Sequence, residues 1–270
     1  MTSRDWQADR RAVFERDDHT CRRCETAGDA ADPTALRTYP VGAVPLEGAV
    51  HESALVTVCT DCFELVRSDS GGAVSGPTAR DDLFQLVRAT TRLQGGAISD
   101  VASFASLATS LPTTLEEADA GAEPTADETA ANYCDTRRGV LLALDVVDAR
   151  LERLAAVEET AFDADVHSSL AAVVETAGDL QSSLREVVIL AETVPAGLDR
   201  CYGCFDELED GTCPTCGLEA RETADWRSGD GRLAFERLFS AINDGLQAAS
   251  GTTETLTDRT MTLAEQLTES

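Results

Sequence analysis

Residues 140–154, VLLALDVVDARLERL, carry the pattern that decides the fold class of this chain. Apolar side chains recur there at alternating steps of four and three residues, and the same spacing returns between positions 170 and 191. Such spacing places apolar side chains on one face of a helix. We therefore predict an antiparallel helical hairpin over about residues 138–192. Its apolar seam consists of Val140, Leu144, Val147, Leu151, Leu154, Leu170, Val173, Ala177, Leu180, Leu184, Val187 and Ala191.

The pattern leaves open what covers this seam. It can pack against further helices of the same chain, or it can bind a protein partner or a second copy of the chain as a homo-oligomer. Further helices are expected at about residues 79–95, 97–110, 222–248 and 252–268, and an acidic loop at about residues 115–129. The sequence is consistent with both kinds of seam.

Cysteine spacing gives the second strong signal. Eight of the nine cysteines stand in four Cys-x-x-Cys pairs. Each pair offers two thiolates, and Zn²⁺ binds four of them in a tetrahedron. We predict two Zn²⁺ sites as cofactor sites, while iron would accept the same ligands. The first site comprises Cys21, Cys24, Cys59 and Cys62, and the second comprises Cys201, Cys204, Cys213 and Cys216.

The surroundings of these cysteines are expected to be reducing. The sequence shows no signal peptide and no apolar run near the roughly 20 residues that a membrane span requires. We therefore expect a cytoplasmic chain without a membrane partner. In that compartment paired cysteines bind metal rather than form disulfides.

The charge balance is strongly acidic. The net charge is −27, with 49 acidic residues against 22 basic residues, and every basic residue is an arginine. Acidic residues spread over almost the whole chain indicate adaptation to a cytoplasm of molar salt, as in halophilic archaea. Because the screening length is only about 3 Å at about 1 M salt, this charge is tolerable there. Nucleic acid is not excluded as a partner, but any contact must be local.

One local exception to the acidity lies at the start of the chain. Residues 1–24 hold six arginines against five acidic residues. A helix crossed by arginine–carboxylate pairs explains this stretch as well as a nucleic-acid-binding surface does. The candidate nucleic-acid contacts are Arg10, Arg11, Arg22 and Arg23.

Residues 6–67 resemble the HNH endonuclease family in its zinc-binding, four-cysteine form. The matching residues before the first cysteine pair are Arg11, Val13, Phe14, Arg16 and Asp17, and those before the second pair are Leu55, Val56, Thr57 and Val58. The resemblance implies a ββα-type module with a zinc site. It also implies an activity on nucleic acid.

The residues of this chain conflict with the catalytic activity that the resemblance implies. HNH chemistry needs a His that activates water, an Asn that orients this His, and a metal ligand at the scissile phosphate. The resemblance assigns these roles to Tyr39 or Pro40, Ala54 and Phe63, where no side chain is a suitable base or ligand at neutral pH. His51 is the weak remaining candidate for a displaced base.

The predicted fold class is mainly α with small α+β zinc modules. We expect an HNH-like module at residues 1–68, a linker at 69–78 and a helical domain at 79–200. A zinc ribbon follows at 201–217, and C-terminal helices at 218–270. The favoured function is binding of nucleic acid or protein by a catalytically degenerate HNH-like zinc protein. An active metal-dependent endonuclease with displaced catalytic residues and a purely structural zinc scaffold are the alternatives.

Overall fold

The structure is a computed structural model. It describes residues 6–28, 35–42, 50–67, 76–121, 123–229 and 231–268. Most of the predicted linker at 69–78 lies outside these residues. The described chain is mainly helical, with one small antiparallel sheet, and this confirms the predicted fold class. The elements are α1 Trp6–Arg16, β1 Leu36–Pro40, β2 Leu55–Cys59, α2 Thr60–Val66, α3 Arg80–Asp119, α4 Ala126–Ala155, α5 Ala164–Ala196 and α6 Phe235–Thr268.

Helices α3 to α6 pack side by side as a four-helix bundle, in which consecutive helices run antiparallel. Buried glutamines tie its layers together. Gln94 of α3 donates to the carbonyl of Ala177 in α5 at 3.2 Å, and Gln181 of α5 donates to the carbonyl of Leu144 in α4 at 3.0 Å. Because each buried amide donates to a carbonyl of another helix, these bonds fix the register of the bundle.

The apolar seam predicted for α4 and α5 is covered within the chain. All twelve of its side chains are buried, and α3 and α6 pack against the hairpin. A partner that contacted the seam would have to displace one of these helices. The surface available for partners therefore lies elsewhere on the molecule.

The helices are longer than the sequence pattern predicts. α3 is one helix of 40 residues that continues through Gly95, Gly96 and Pro112, and α6 is one helix of 34 residues. The prediction of a loop at 115–129 was wrong for most of its length. Helix α3 extends to Asp119, and α4 begins at a capping box formed by Thr125 and Glu128. An interior glycine costs a helix only about 1 kcal/mol, which packing of the apolar face outweighs.

The N-terminal module consists of α1, the sheet and α2, with the first cysteine pair between α1 and β1. β1 and β2 pair antiparallel, with Tyr39 opposite Val56. Asp17, at the end of α1, accepts the backbone N–H of Thr57 in β2 at 2.8 Å and an ion pair from Arg16 at 2.9 Å. Burial opposes ionisation of Asp17, but the bonds with Arg16 and Thr57 outweigh it and lower its pKa. This carboxylate joins α1 to the sheet.

The module rests on the bundle through α2, which packs against α4. On the exposed side of this junction, Arg22 forms an ion pair with Asp135 of α4 at 2.8 Å. No helix among the described residues combines the length and the apolar character needed to cross a lipid bilayer.

Candidate metal centres

Three of the four cysteine pairs adopt the same backbone turn. In each turn the N–H of the first cysteine donates to the carbonyl five residues on, at 2.9, 2.7 and 2.8 Å for Cys21, Cys201 and Cys213. The carbonyl of the same cysteine accepts the N–H of the residue four positions on. That residue has a positive φ in all three turns, which bends the chain back over the sulfur atoms. The residues at this position are Glu25, Phe205 and Gly217.

Two of these turns face each other and form the second cluster. The Sγ atoms of Cys201 and Cys216 lie 3.4 Å apart, and those of Cys204 and Cys213 lie 3.3 Å apart. All four Sγ atoms lie within 4.8 Å of one another. A tetrahedron with metal–sulfur bonds of about 2.3 Å has sulfur–sulfur edges of about 3.8 Å. The cluster is therefore close to the size that a single metal ion requires.

The first cluster combines one turn with a strand-to-helix junction. Cys21 and Cys24 come from the turn after α1, while Cys59 ends β2 and Cys62 lies in the first turn of α2. The Sγ atoms of Cys24 and Cys59 are 3.7 Å apart, and all four lie within 4.8 Å of one another. Both predicted groups of four cysteines are thus brought together, and each can hold a metal ion.

The thiols within each cluster ionise unequally. Hydrogen bonds from Cys204 and Cys216 strongly lower the pKa of Cys201, and the same bonds raise the pKa of Cys204 and of Cys216. In the first cluster, burial opposes ionisation of Cys24, but hydrogen bonds from Thr26 lower its pKa to about 6. Burial is the largest cause that raises the pKa of Cys59 and of Cys62 in the first cluster. A bound cation would favour the thiolate form of all four cysteines in each cluster.

Two of the positions that the HNH resemblance assigns to catalysis, Tyr39 and Phe63, pack together in an aromatic and arginine-rich patch. Tyr39 meets the ring of Phe63 edge-on, with the ring centroids 6.4 Å apart. The guanidinium groups of Arg37 and Arg67 lie over the same ring, 5.2 and 5.6 Å from its centroid. Ala54 is 5% exposed and presents only a methyl group. None of these side chains is arranged to activate water.

Tyr39 of this patch also faces the bundle, where it lines a small cavity. Its hydroxyl donates to Asp145 of α4 at 3.4 Å, and Asp145 accepts an ion pair from Arg185 at 2.9 Å. The small cavity here, of about 320 Å³, also contains Asp148, which pairs with the same arginine. These carboxylates are already engaged in joining α4 to α5.

His51 has a local structural role. Its Nδ1 accepts the backbone N–H of Ser53 at 3.1 Å and so caps the short turn of 3-10 helix Glu52–Ala54. Pro40 pairs with Leu55 in the sheet register. Within the described residues, no histidine belongs to either cysteine cluster.

The four arginines predicted to contact nucleic acid do not form one open surface. Arg10 donates to the carbonyl of Leu36 at 3.3 Å and lies over the ring of Phe14, whereas Arg11 is exposed. Arg22 pairs with Asp135 of α4, as described above. Arg23 donates to the Sγ of Cys62 at 3.3 Å. Arg11 and Arg22 are the exposed pair.

Sequence reasoning missed a buried charge network beside the second cluster. Glu192 of α5 is 1% exposed and accepts Arg137 of α4 at 2.7 Å and Arg221 at 3.0 Å. The ring of Tyr202, which lies between Cys201 and Cys204, has the guanidinium of Arg221 at 4.4 Å and that of Arg137 at 5.2 Å. No spacing in the sequence links these residues, because the chain brings them together from three separate segments.

Comparison of the chain with protein-family models, with curated proteins and with solved structures finds no match. The resemblance to HNH endonucleases therefore rests on the quoted residues of this chain alone. The chemistry of the two clusters and of the patch around Phe63 must decide between the candidate functions.

Proposed function

We propose that this chain is a zinc protein with an HNH-like N-terminal module that binds nucleic acid without hydrolysing it. The observation that carries the proposal is the chemistry of the three positions assigned to catalysis, which hold Tyr39, Ala54 and Phe63. The frame of cysteines, strands and helix follows the order that the resemblance implies, while the positions for water activation and metal binding hold groups that do neither.

Zinc is the metal that best suits both clusters. Four thiolates around one centre favour Zn²⁺ or iron, and Zn²⁺ is the usual occupant of two facing Cys-x-x-Cys turns. Four protein ligands leave no position for water, so such sites stabilise small modules rather than catalyse reactions. We therefore assign the clusters a folding role, and elemental analysis distinguishes zinc from iron.

The absence of suitable catalytic groups argues against hydrolysis at the HNH-like patch. A general base must take a proton near neutral pH and lie within hydrogen-bond reach of water. Ala54 and Phe63 carry no ionisable group, and the hydroxyl of Tyr39 is directed to Asp145. His51 is held by Ser53 as a helix cap, which supports a structural role for this side chain.

Nucleic acid is the partner that the exposed arginines suit best. Arg11 on α1 and Arg22 in the first cysteine turn are exposed. An arginine guanidinium binds a phosphate through two parallel hydrogen bonds, and it retains its charge at any physiological pH. In an otherwise acidic chain, we assign the local contact to Arg11, because Arg22 is paired with Asp135. Arg10 donates to the carbonyl of Leu36, and Arg23 donates to the Sγ of Cys62.

The test is an assay of retention and cleavage with the full chain. Labelled duplex and single-stranded DNA and RNA are incubated with the protein in about 1 M KCl and at lower salt, with Mg²⁺ or Mn²⁺. We expect retention of at least one nucleic acid without cleavage. Arg11→Gln should weaken retention, whereas Arg88→Gln, an exposed arginine of α3, should leave it unchanged.

Two outcomes would contradict the proposal. Metal-dependent cleavage that is lost in His51→Ala would show an active nuclease with a displaced base. Absence of retention at every salt concentration would leave the zinc clusters with a structural role only.

A further inference from the structure

The groove between α3 and α4 contains two cavities, and the first is also lined by Arg22 and Arg23 of the first cysteine turn. The first cavity, of about 400 Å³, is lined by residues from Arg92 to Ser103 of α3 and from Asp135 to Val146 of α4. The second, of about 520 Å³, lies at the next turn of both helices, between Ala89 and Arg150. Pockets that bind small molecules typically have volumes of about 300–1,000 Å³. Each cavity therefore has the size of a ligand site.

The walls of these cavities carry more basic than acidic residues, whereas the whole chain is strongly acidic. The chain has more than twice as many acidic as basic residues, 49 against 22. The two cavities together have five arginines against three aspartates. A cleft lined mainly by one sign of charge concentrates the opposite ion. The arginines are Arg22, Arg23, Arg92, Arg150 and Arg153, and the aspartates are Asp82, Asp100 and Asp135.

Part of this positive charge already has a protein partner, because Arg23 donates to the Sγ of Cys62 at 3.3 Å. Within the described residues, Arg22 alone among the five forms an ion pair, and Asp135 accepts it. The Nε atoms of Arg23 and Arg150 are buried without a hydrogen-bond partner. Burial, followed by the charges of Arg23 and Arg153, lowers the pKa of Arg150. An anion bound in the first cavity would offset the charges of Arg23 and Arg92, neither of which forms an ion pair within the described residues.

Two glycines line the first cavity. Gly96 of α3 and Gly139 of α4 line it, and a Cβ atom added at either position would meet no heavy atom within 4 Å. Interior glycines cost a helix about 1 kcal/mol each relative to alanine. Contacts with other parts of the described chain require neither glycine, and a larger side chain at either position has free space to enter.

We propose that the first cavity binds a small organic phosphate. Its phosphate group would contact Arg23 and Arg92, and its carbon portion would lie against the apolar wall that includes Leu93, Val140 and Val146. Arginine matches the geometry of phosphate oxygens, and the apolar wall distinguishes an organic phosphate from a simple anion. This site goes beyond the proposed function, because it does not require that the chain bind a polynucleotide.

The experiment is calorimetric titration of the metal-loaded full chain with adenosine monophosphate in about 1 M KCl. Adenosine and inorganic phosphate are titrated separately. We expect one site per chain that binds the monophosphate more tightly than either part alone. Arg92→Gln should weaken this binding about tenfold, since it removes a charged hydrogen bond. Gly139→Leu should abolish it by filling the cavity.

The matched control is Arg88→Gln, one helical turn from Arg92 and outside both cavities, which should bind as the wild type does. Circular dichroism establishes that each variant is folded. No saturable binding by the folded chain would overturn the proposal, as would equal losses in Arg88→Gln and Arg92→Gln. Equal affinity for inorganic phosphate would overturn the organic part.

Nucleic-acid binding provides a separate readout. If Arg92→Gln abolished oligonucleotide retention while the monophosphate did not bind, the arginines would belong to the nucleic-acid surface and the small-molecule site would be wrong. If Arg11→Gln left retention unchanged and the monophosphate still bound, the proposed contact through Arg11 would fail and the cavity site would stand.

Discussion

The two cysteine clusters are attached to the bundle in different ways. The second cluster is formed by pairs only 9 residues apart, from Cys204 to Cys213, and a buried network around Glu192 docks it against α4 and α5. The first cluster joins sulfur atoms 35 residues apart, from Cys24 to Cys59, and meets the bundle through α2 and an exposed ion pair of Arg22. Two sets of four cysteines are thus supported differently, one by a buried charge network and the other by a helix contact and an exposed ion pair.

The largest effect should follow from breaking the second cluster itself. Structural zinc contributes about 10–16 kcal/mol of apparent binding free energy, so loss of one thiolate should unfold the small module. Cys204→Ser should bind one zinc ion fewer per chain and lose protection of residues 200–220 in hydrogen exchange, while the bundle stays folded.

The matched control is Cys134→Ser, which changes the one cysteine outside both clusters. It should retain the metal content of the wild type. Equal metal loss in the two variants would contradict the assignment of the ligands.

The next largest effect should come from the docking network. Glu192→Gln leaves Arg137 and Arg221 without a buried carboxylate, and loss of one partner of a buried ion pair costs about 3–5 kcal/mol. Denaturant unfolding should show this loss. Glu186→Gln, an exposed change on the same helix, should stay within about 0.5 kcal/mol of wild type.

In the first module, Asp17 has the corresponding role with a smaller effect. Asp17→Asn weakens the bonds to Arg16 and to the N–H of Thr57, and this should cost about 1–3 kcal/mol. Because folding lowers the pKa of Asp17, its contribution is present above the unfolded pKa of about 3.9 and is lost as pH falls through the folded pKa.

The stability difference between wild type and Asp17→Asn should therefore shrink below about pH 4. Unfolding followed as a function of pH measures it, and Asp18→Asn, at the exposed neighbouring position, is the control. A difference that persisted unchanged at low pH would contradict the role of the carboxylate charge.

The smallest expected effect is the order in which the clusters release metal. Closing a loop of 35 rather than 9 residues costs about 1.2 kcal/mol more, at about 0.6 kcal/mol per doubling of length. A chelator titration should therefore remove zinc from the first cluster at a roughly five- to tenfold lower chelator concentration. Release in the reverse order would show that the sheet stabilises the first cluster more than the loop weakens it.

The sequence predicted the parts of this fold that follow a local period. The Cys-x-x-Cys spacing predicted both clusters, and the steps of three and four predicted the buried seam of α4 and α5. The sequence predicted helix ends near Gly95, Gly96 and Pro112, but α3 continues through all three. Packing along α3 outweighs the local effect of these helix-breaking residues.

Residues that act across the chain could not be predicted in this way. Arg137 and Glu192 are 55 positions apart, and Arg23 and Arg92 meet only once α3 has packed beside the first cysteine turn. Their charges resemble those of ordinary surface residues in an acidic chain. Only their surroundings in the folded chain distinguish them, because Arg137 is buried against Glu192 and Arg92 lines a cavity together with Arg23.

The metal content of the purified full chain tests the central claim most directly. Elemental analysis, together with native mass spectrometry, should find two zinc ions and no iron per chain, and the eight clustered thiols should resist alkylation until a chelator is added. One zinc ion per chain, or iron in either cluster, would contradict the account of two closed zinc centres that support a binding module.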